Sequence, residues 1–149
     1  MNIKRTTFAT LLCATLILPS CSSSESAISY KEAQRYFVRN DVTDHSPRLI
    51  KSSEELDRYF GQATVMGKNG APTNIDFSKK NAIAIIGQDT NIDTDIKITS
   101  MKKRKDGCVT VRYKVVQTGE PKSYSTTPCL LVTIDKKHGG NVEFIKSEE

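Results

Sequence analysis

The sequence predicts a mainly β domain of the α+β class: a small antiparallel barrel of OB-like type or a curled sheet, carrying one or two short helices. Three observations lead there. The stretch Ala82 to Ile86 is apolar on both alternating faces, with Ala82, Ala84 and Ile86 on one and Ile83 and Ile85 on the other, as in a strand covered on both sides. Strand-like alternation then recurs up to residue 145 between turn residues. Helix signals are confined to two capping boxes before residue 62.

A chain of 149 residues, 37% apolar and 26% charged, holds one modest core with room for a leader. The formal charge of +5 falls to +3 once Lys4 and Arg5 leave with that leader, too weak an excess to imply a nucleic-acid partner. A monomer is expected.

Residues 1–20 read as a lipoprotein signal peptide: Lys4 and Arg5, an apolar centre from Phe8 to Leu18 too short to span a bilayer, then Leu18-Pro-Ser-Cys21. The end resembles a bacterial lipobox, which implies cleavage before Cys21 and acylation of that cysteine. The alternative is an ordinary secretory leader in which Cys21 is incidental. Acyl chains contribute about 0.8 kcal/mol per buried CH₂, so several of them on Cys21 anchor the protein to a membrane without spanning it. Residues 21–28 then form a polar tether, and Ser22, where an inner-membrane retention signal has Asp, favours the outer membrane by resemblance to sorted lipoproteins. The periplasmic or surface face is left open.

The folded domain is expected over 29–149. Ser29-Tyr-Lys-Glu32 has capping-box spacing and puts Tyr30, Ala33 and Phe37 on one helical face, although Tyr36 to Val38 also reads as a strand opening. Ser52-Ser-Glu-Glu55 is a second box, ahead of Leu56, Tyr59 and Phe60, with Gly61 placed for a left-handed C-cap. A loop at 67–74 leads into the central strand. Ile96, Ile98 and Met101 predict a half-exposed strand, Lys102 to Gly107 a charged hairpin tip, and Val109 to Val115 its partner. Gly119-Glu-Pro-Lys122 turns the chain into a return strand with Leu130, Val132 and Ile134 inward, and Lys136 to Gly140 turns it again into Val142 to Ile145.

Cys13 leaves with the leader and Cys21 takes the lipid, so Cys108 and Cys129 remain as an even pair in an oxidising compartment. Pairing strands about a centre near residues 118 and 119 brings Cys108 opposite Cys129, which predicts a disulfide; the alternative is two free thiols. Asp89, Asn91, Asp93 and Asp95 have calcium-loop spacing, but Thr94 stands where the turn needs Gly and Ser100 where a bidentate Glu belongs, so a polar turn is the better reading. His45 and His138 fall on loops without a zinc or triad pattern and are expected to face solvent. Lys102 to Lys105 reads as a solvated hairpin tip before an anion site. With no nucleophile–base pair and no ligand set, neither catalysis nor a metal or cofactor is expected.

Tyr36-Phe-Val38, Ser53-Glu-Glu-Leu56, Tyr59-Phe-Gly61, Ile75-Asp-Phe-Ser-Lys79, Ala82 to Gly87 and Thr127-Pro-Cys-Leu-Leu-Val-Thr-Ile-Asp135 together resemble small lipoproteins of Bacteroides-like anaerobes. More distantly they are similar to the C-terminal domain of the lipoprotein subunit that accompanies a treponemal chymotrypsin-like protease. Where that domain has Thr-Gly-Gly-Tyr after its central strand, this chain has Thr94-Asp-Ile-Lys97. Among such lipoproteins, the potempin-like family inhibits secreted peptidases from a small β-barrel of OB type. The resemblance spans most of 36–146 and implies a lipid-anchored, non-enzymatic inhibitor of a secreted peptidase, of metallo- or serine class. It carries over no inhibitory residue. The candidate contact segments come from exposure alone: Ala27, Ile28, Ser29 and Tyr30 at the tether end, ranked first as free to extend; Asp89 to Asp95; and Gly119 to Ser125. The alternative is a non-enzymatic envelope module that binds glycan or another envelope protein.

Overall fold

A computed structural model describes residues 25–68 and 70–148; the predicted leader and Cys21 lie outside them. In chain order the strands are β1 (Ser26–Ala27), β2 (Lys31–Glu32), β3 (Tyr36–Val38), β4 (Arg48–Ile50), β5 (Phe60–Gln62), β6 (Lys80–Ile86), β7 (Asp93–Lys103), β8 (Val109–Thr118), β9 (Cys129–Asp135) and β10 (Val142–Lys146). Helix α1 (Ser53–Tyr59) and a 3-10 turn at Lys136–His138 are the helical elements among the described residues.

Two open four-stranded sheets, ordered β1-β7-β8-β10 and β2-β9-β6-β4, pack face to face, and β3 and β5 form a separate ribbon. The two faces of β6 explain this layering. Ile83 and Ile85, joined by Val132 and Ile134 of β9, meet Ile96, Met101, Val109, Val111 and Tyr113 of the other sheet. Ala82, Ala84 and Ile86 turn to a second core with Ile50, Leu56, Phe60, Val38 and Leu131. Small side chains on that face let α1 and the ribbon approach closely, while each branched side chain buried between the sheets contributes about 1.5–3 kcal/mol. The mainly β class is therefore as expected, but neither sheet closes into a barrel.

In β7 the ladder with β8 shifts between Ile98 and Ser100, so Thr99 is an extra, unpaired residue. That bulge lets Ile96, Ile98 and Met101 share one face although Met101 is three positions beyond Ile98.

The helix predicted from Ser52 forms as read. Ser52 Oγ accepts from the Glu55 amide at 3.2 Å, and Glu55 Oε2 reaches back to the Lys51 amide at 2.9 Å. Gly61, however, is not a left-handed cap. It lies in β5 opposite Phe37, with no room for a Cβ beside the Phe37 ring.

The helix predicted from Ser29 does not form: β2 stands in its place, and Tyr36 to Val38 form strand β3, the alternative reading of that stretch. The helix's supposed apolar face is wrong, because Tyr30 and Phe37 are exposed while Ile28, Ala33 and Val38 are buried. Pairing of Lys31 and Glu32 with β9, the Ala33 amide on the Leu131 carbonyl at 2.8 Å, and a positive φ of 67° at Arg35 fix an extended, kinked path. The return strand is corrected as well. β8 and β9 do not form a hairpin; the chain after β8 crosses to the other sheet, where β9 pairs with β6 and β2. β10 runs parallel to β8, so the strands are not all antiparallel.

Candidate functional site

The chain between β8 and β9 has to pass from one sheet to the other across the open end of the sandwich. Gly119, at φ 82°, turns it outward, and residues 119–126 are exposed apart from half-buried Lys122. Tyr124 at the tip keeps 57% of its surface. A loop of this kind, in which Gly, Pro and Ser make up half of the residues, would be slack unless something held it.

It is held by the neighbouring segment 87–95. Thr90 and Thr126 exchange backbone hydrogen bonds at 3.0 and 2.8 Å, the Gly87 amide donates to the Pro128 carbonyl at 2.8 Å, and the Lys122 amide donates to the Asn91 carbonyl at 2.7 Å. Side chains repeat the pattern. The Lys122 ammonium pairs with Asp93 and lies 5.4 Å from the Tyr124 ring centre, and the Thr127 hydroxyl donates to Asp89. Hydrogen bonding to Asp93, then to Tyr124, holds the Lys122 ammonium above the usual lysine range. Asp89, Asn91 and Asp93, whose spacing suggested a calcium loop, thus turn to the crossing loop, Asp89 to Thr127 and both Asn91 and Asp93 to Lys122, while Asp95 pairs with Lys97 at 3.7 Å. The first three brace the crossing loop. Residues about 30 positions apart do this, which a local pattern cannot reveal.

Beside the loop, the same end opens into a cleft of about 1220 Å³. Ile85, Ile96, Tyr113 and Val115 line its apolar part, with Thr90, Gln117 and the 43–47 loop at its polar rim. Burial raises the Tyr113 phenol above its usual range. His45 is not simply solvent-facing: Nε2 lies 3.3 Å from the Val42 carbonyl, so that nitrogen carries the proton, and Nδ1 is buried with no partner. Arg48 staples this rim. Its guanidinium bonds the Asp44 and Ser46 carbonyls at 2.7 and 3.0 Å, pairs with the Asp44 carboxylate at 3.1 Å and stacks 3.8 Å from the Tyr59 ring centre. The Ser46 amide, the Ser46 hydroxyl and Arg48 together push the Asp44 carboxyl down to about 2.

The tether end is tied into the fold. Ala27 pairs with Lys102, the Ile28 amide donates to the Met101 carbonyl at 3.0 Å, and Ile28 is 6% exposed within the inter-sheet core; Ser29 and Tyr30 are exposed. Pulling the segment out would uncover Ile28 at a cost of about 1.5–3 kcal/mol besides the lost pairing, so it is not free to extend. The register from which a disulfide was expected is not formed, because β8 and β9 belong to different sheets, and the structure holds no bond between Cys108 and Cys129. Cys108 follows the β7–β8 turn, whereas Cys129 packs against the second core with Sγ 3.9 Å from the Tyr36 carbonyl. Burial pushes the Cys129 thiol up to about 11.

The structure thus gathers two of the three predicted contact segments, 89–95 and 119–125, at one end and leaves the third at the other. Comparison of the chain with protein-family models, with curated proteins and with solved structures finds no match.

Proposed function

We propose that the protein is a lipid-anchored envelope protein that binds a secreted peptidase and blocks it by presenting Gly119–Ser125 to its cleft. The observation that carries this reading is the loop itself: exposed at the tip, yet fixed on both flanks by backbone and side-chain hydrogen bonds. Such a segment enters a cleft without first losing conformational freedom, and each residue ordered beforehand spares about 1–2 kcal/mol of backbone entropy on binding. Tyr124 supplies a large side chain with two rotatable angles, suited to anchor in a pocket. Neighbouring rims at 41–47 and 87–92 extend the surface toward the area a stable complex needs. The likeness to potempin-like inhibitors points the same way, and Leu18-Pro-Ser-Cys21 supports the anchor.

The test uses the chain from Ser22 onward against a panel of secreted metallo-, serine and cysteine peptidases. Stoichiometric slowing of one of them, weakened at least tenfold by Tyr124→Ala, is expected. Activity of every peptidase unaltered by an excess of folded protein would sink the reading. For the anchor, Cys21→Ala should leave the precursor uncleaved or release the protein from membranes.

A second reading, an envelope module that binds glycan or another envelope protein, is favoured by the cleft and by the unpartnered Nδ1 of His45. Retention of the protein on envelope glycans, abolished by His45→Ala, would select it.

A further inference from the structure

Cations gather at the end of the sandwich opposite the crossing loop. The β7–β8 turn brings Lys102, Lys103, Arg104 and Lys105 there, and the β9–β10 connection brings Lys136 and Lys137 beside them. The two are joined, since the Val109 amide donates to the Asn141 carbonyl at 2.9 Å and Val142 pairs with Val109. Part of this charge is neutralised: Lys102 pairs with Glu25, Arg104 with Asp106 and Glu143, and Asp135 is shared by Lys80 and Lys137. Three ammonium groups have no carboxylate partner among the described residues. Lys103 and Lys105 make no ion pair, and the Lys136 ammonium donates to the Phe77 carbonyl at 2.8 Å. Lys105 and Lys136 are exposed.

The chain joins the domain at this same end. Ser26 and Ala27 pair with Lys103 and Lys102, only five residues beyond Cys21. Five residues span at most about 17 Å. An acyl anchor on Cys21 would therefore hold the unpaired lysines within reach of the headgroups, and the opposite end would stand away from them.

We infer that the basic end formed by the β7–β8 turn and the Lys136–His138 turn is a docking surface for anionic lipid headgroups. It seats the domain upright on its membrane and points the Gly119–Ser125 loop outward. The upright orientation rests on the Cys21 anchor; the lipid contact does not. With β7 eleven residues long, the loop stands about 35 Å above the headgroups, clear enough for a peptidase to approach. Each lysine near an anionic surface adds about fivefold to partition, and screening by salt removes most of it.

The test is co-sedimentation of the chain from Ser22 onward, which carries both cores, with vesicles of phosphatidylcholine alone or mixed with phosphatidylglycerol. Binding to the mixed vesicles at low salt, lost at high salt and absent on phosphatidylcholine, is expected. Lys105→Gln with Lys136→Gln should weaken it roughly 25-fold. The matched pair Lys97→Gln with Lys114→Gln, opposite one another farther along the same sheet, should leave it nearly unchanged. Equal loss in both variants, equal binding to neutral vesicles, or no binding to anionic ones overturns the proposal. So does tighter binding to a soluble polyanion at equal charge. No peptidase is involved, so failure here and failure of the inhibitor reading are separate results.

Discussion

Replacing Lys122 with Ala tests whether the crossing loop is held by its side-chain brace. The pair with Asp93 is largely solvated, its side chains being 34% and 63% exposed, and such pairs contribute at most about 1 kcal/mol. The contact with the Tyr124 ring adds about 0.5 kcal/mol. Neither partner belongs to a core cluster, so the melting temperature should move by only a few degrees. Local opening is where the loss should appear. The amide at position 122, bonded to the Asn91 carbonyl, should exchange with solvent about fivefold faster for about 1 kcal/mol lost. The amide of Thr126, held by the independent Thr90 pairing, should keep its rate. Hydrogen exchange followed by NMR reads both sites in one sample. Unchanged exchange at 122 means that the ion pair is idle, and equal acceleration at 122 and 126 means that the loop opens as one piece; either refutes the reasoning. A peptidase bound through this loop should lose about the same fivefold in affinity.

Thiol labelling of folded, unreduced protein near neutral pH should modify Cys108 alone, with Cys129 reacting only after unfolding, because burial raises its pKa to about 11. A domain unreactive at both sites even when unfolded without reductant would reveal a disulfide instead. Titration of the Asp44 carboxyl by NMR should give a value of about 2, below the usual aspartate range. Since the folded-state value is the depressed one, the staple at the cleft rim is intact above about pH 4 and weakens as pH falls toward 2; an ordinary carboxylate value would refute it.

Local patterns revealed what depends on neighbours in sequence. β6 could be read from its own five apolar residues, and α1 from Ser52 and Glu55, because a doubly covered strand and an N-cap are each complete within a few positions. The 30–38 segment misled because Tyr30, Ala33 and Phe37 satisfy helical spacing, while edge pairing to β9 and the kink at Arg35 decide the outcome. Gly119-Glu-Pro looked like a hairpin turn, but turn residues cannot say which sheet the next strand joins. The site was legible only as a set of exposed segments. Which of them stays exposed and which is pinned, as Ile28 is, depends on contacts across the fold.

The bulge at Thr99 separates two kinds of tolerance. Its side chain is exposed and its backbone lies outside the regular ladder, so many residue types can stand there. Loss of the position is another matter. Without it, everything on one side of the bulge slips by one, turning Ile96 and Ile98 outward and driving Asp95 and Lys97 between the sheets. Position 99 therefore constrains the length of the chain far more than its composition: a family sharing this fold should vary freely there in residue type and almost never show a gap.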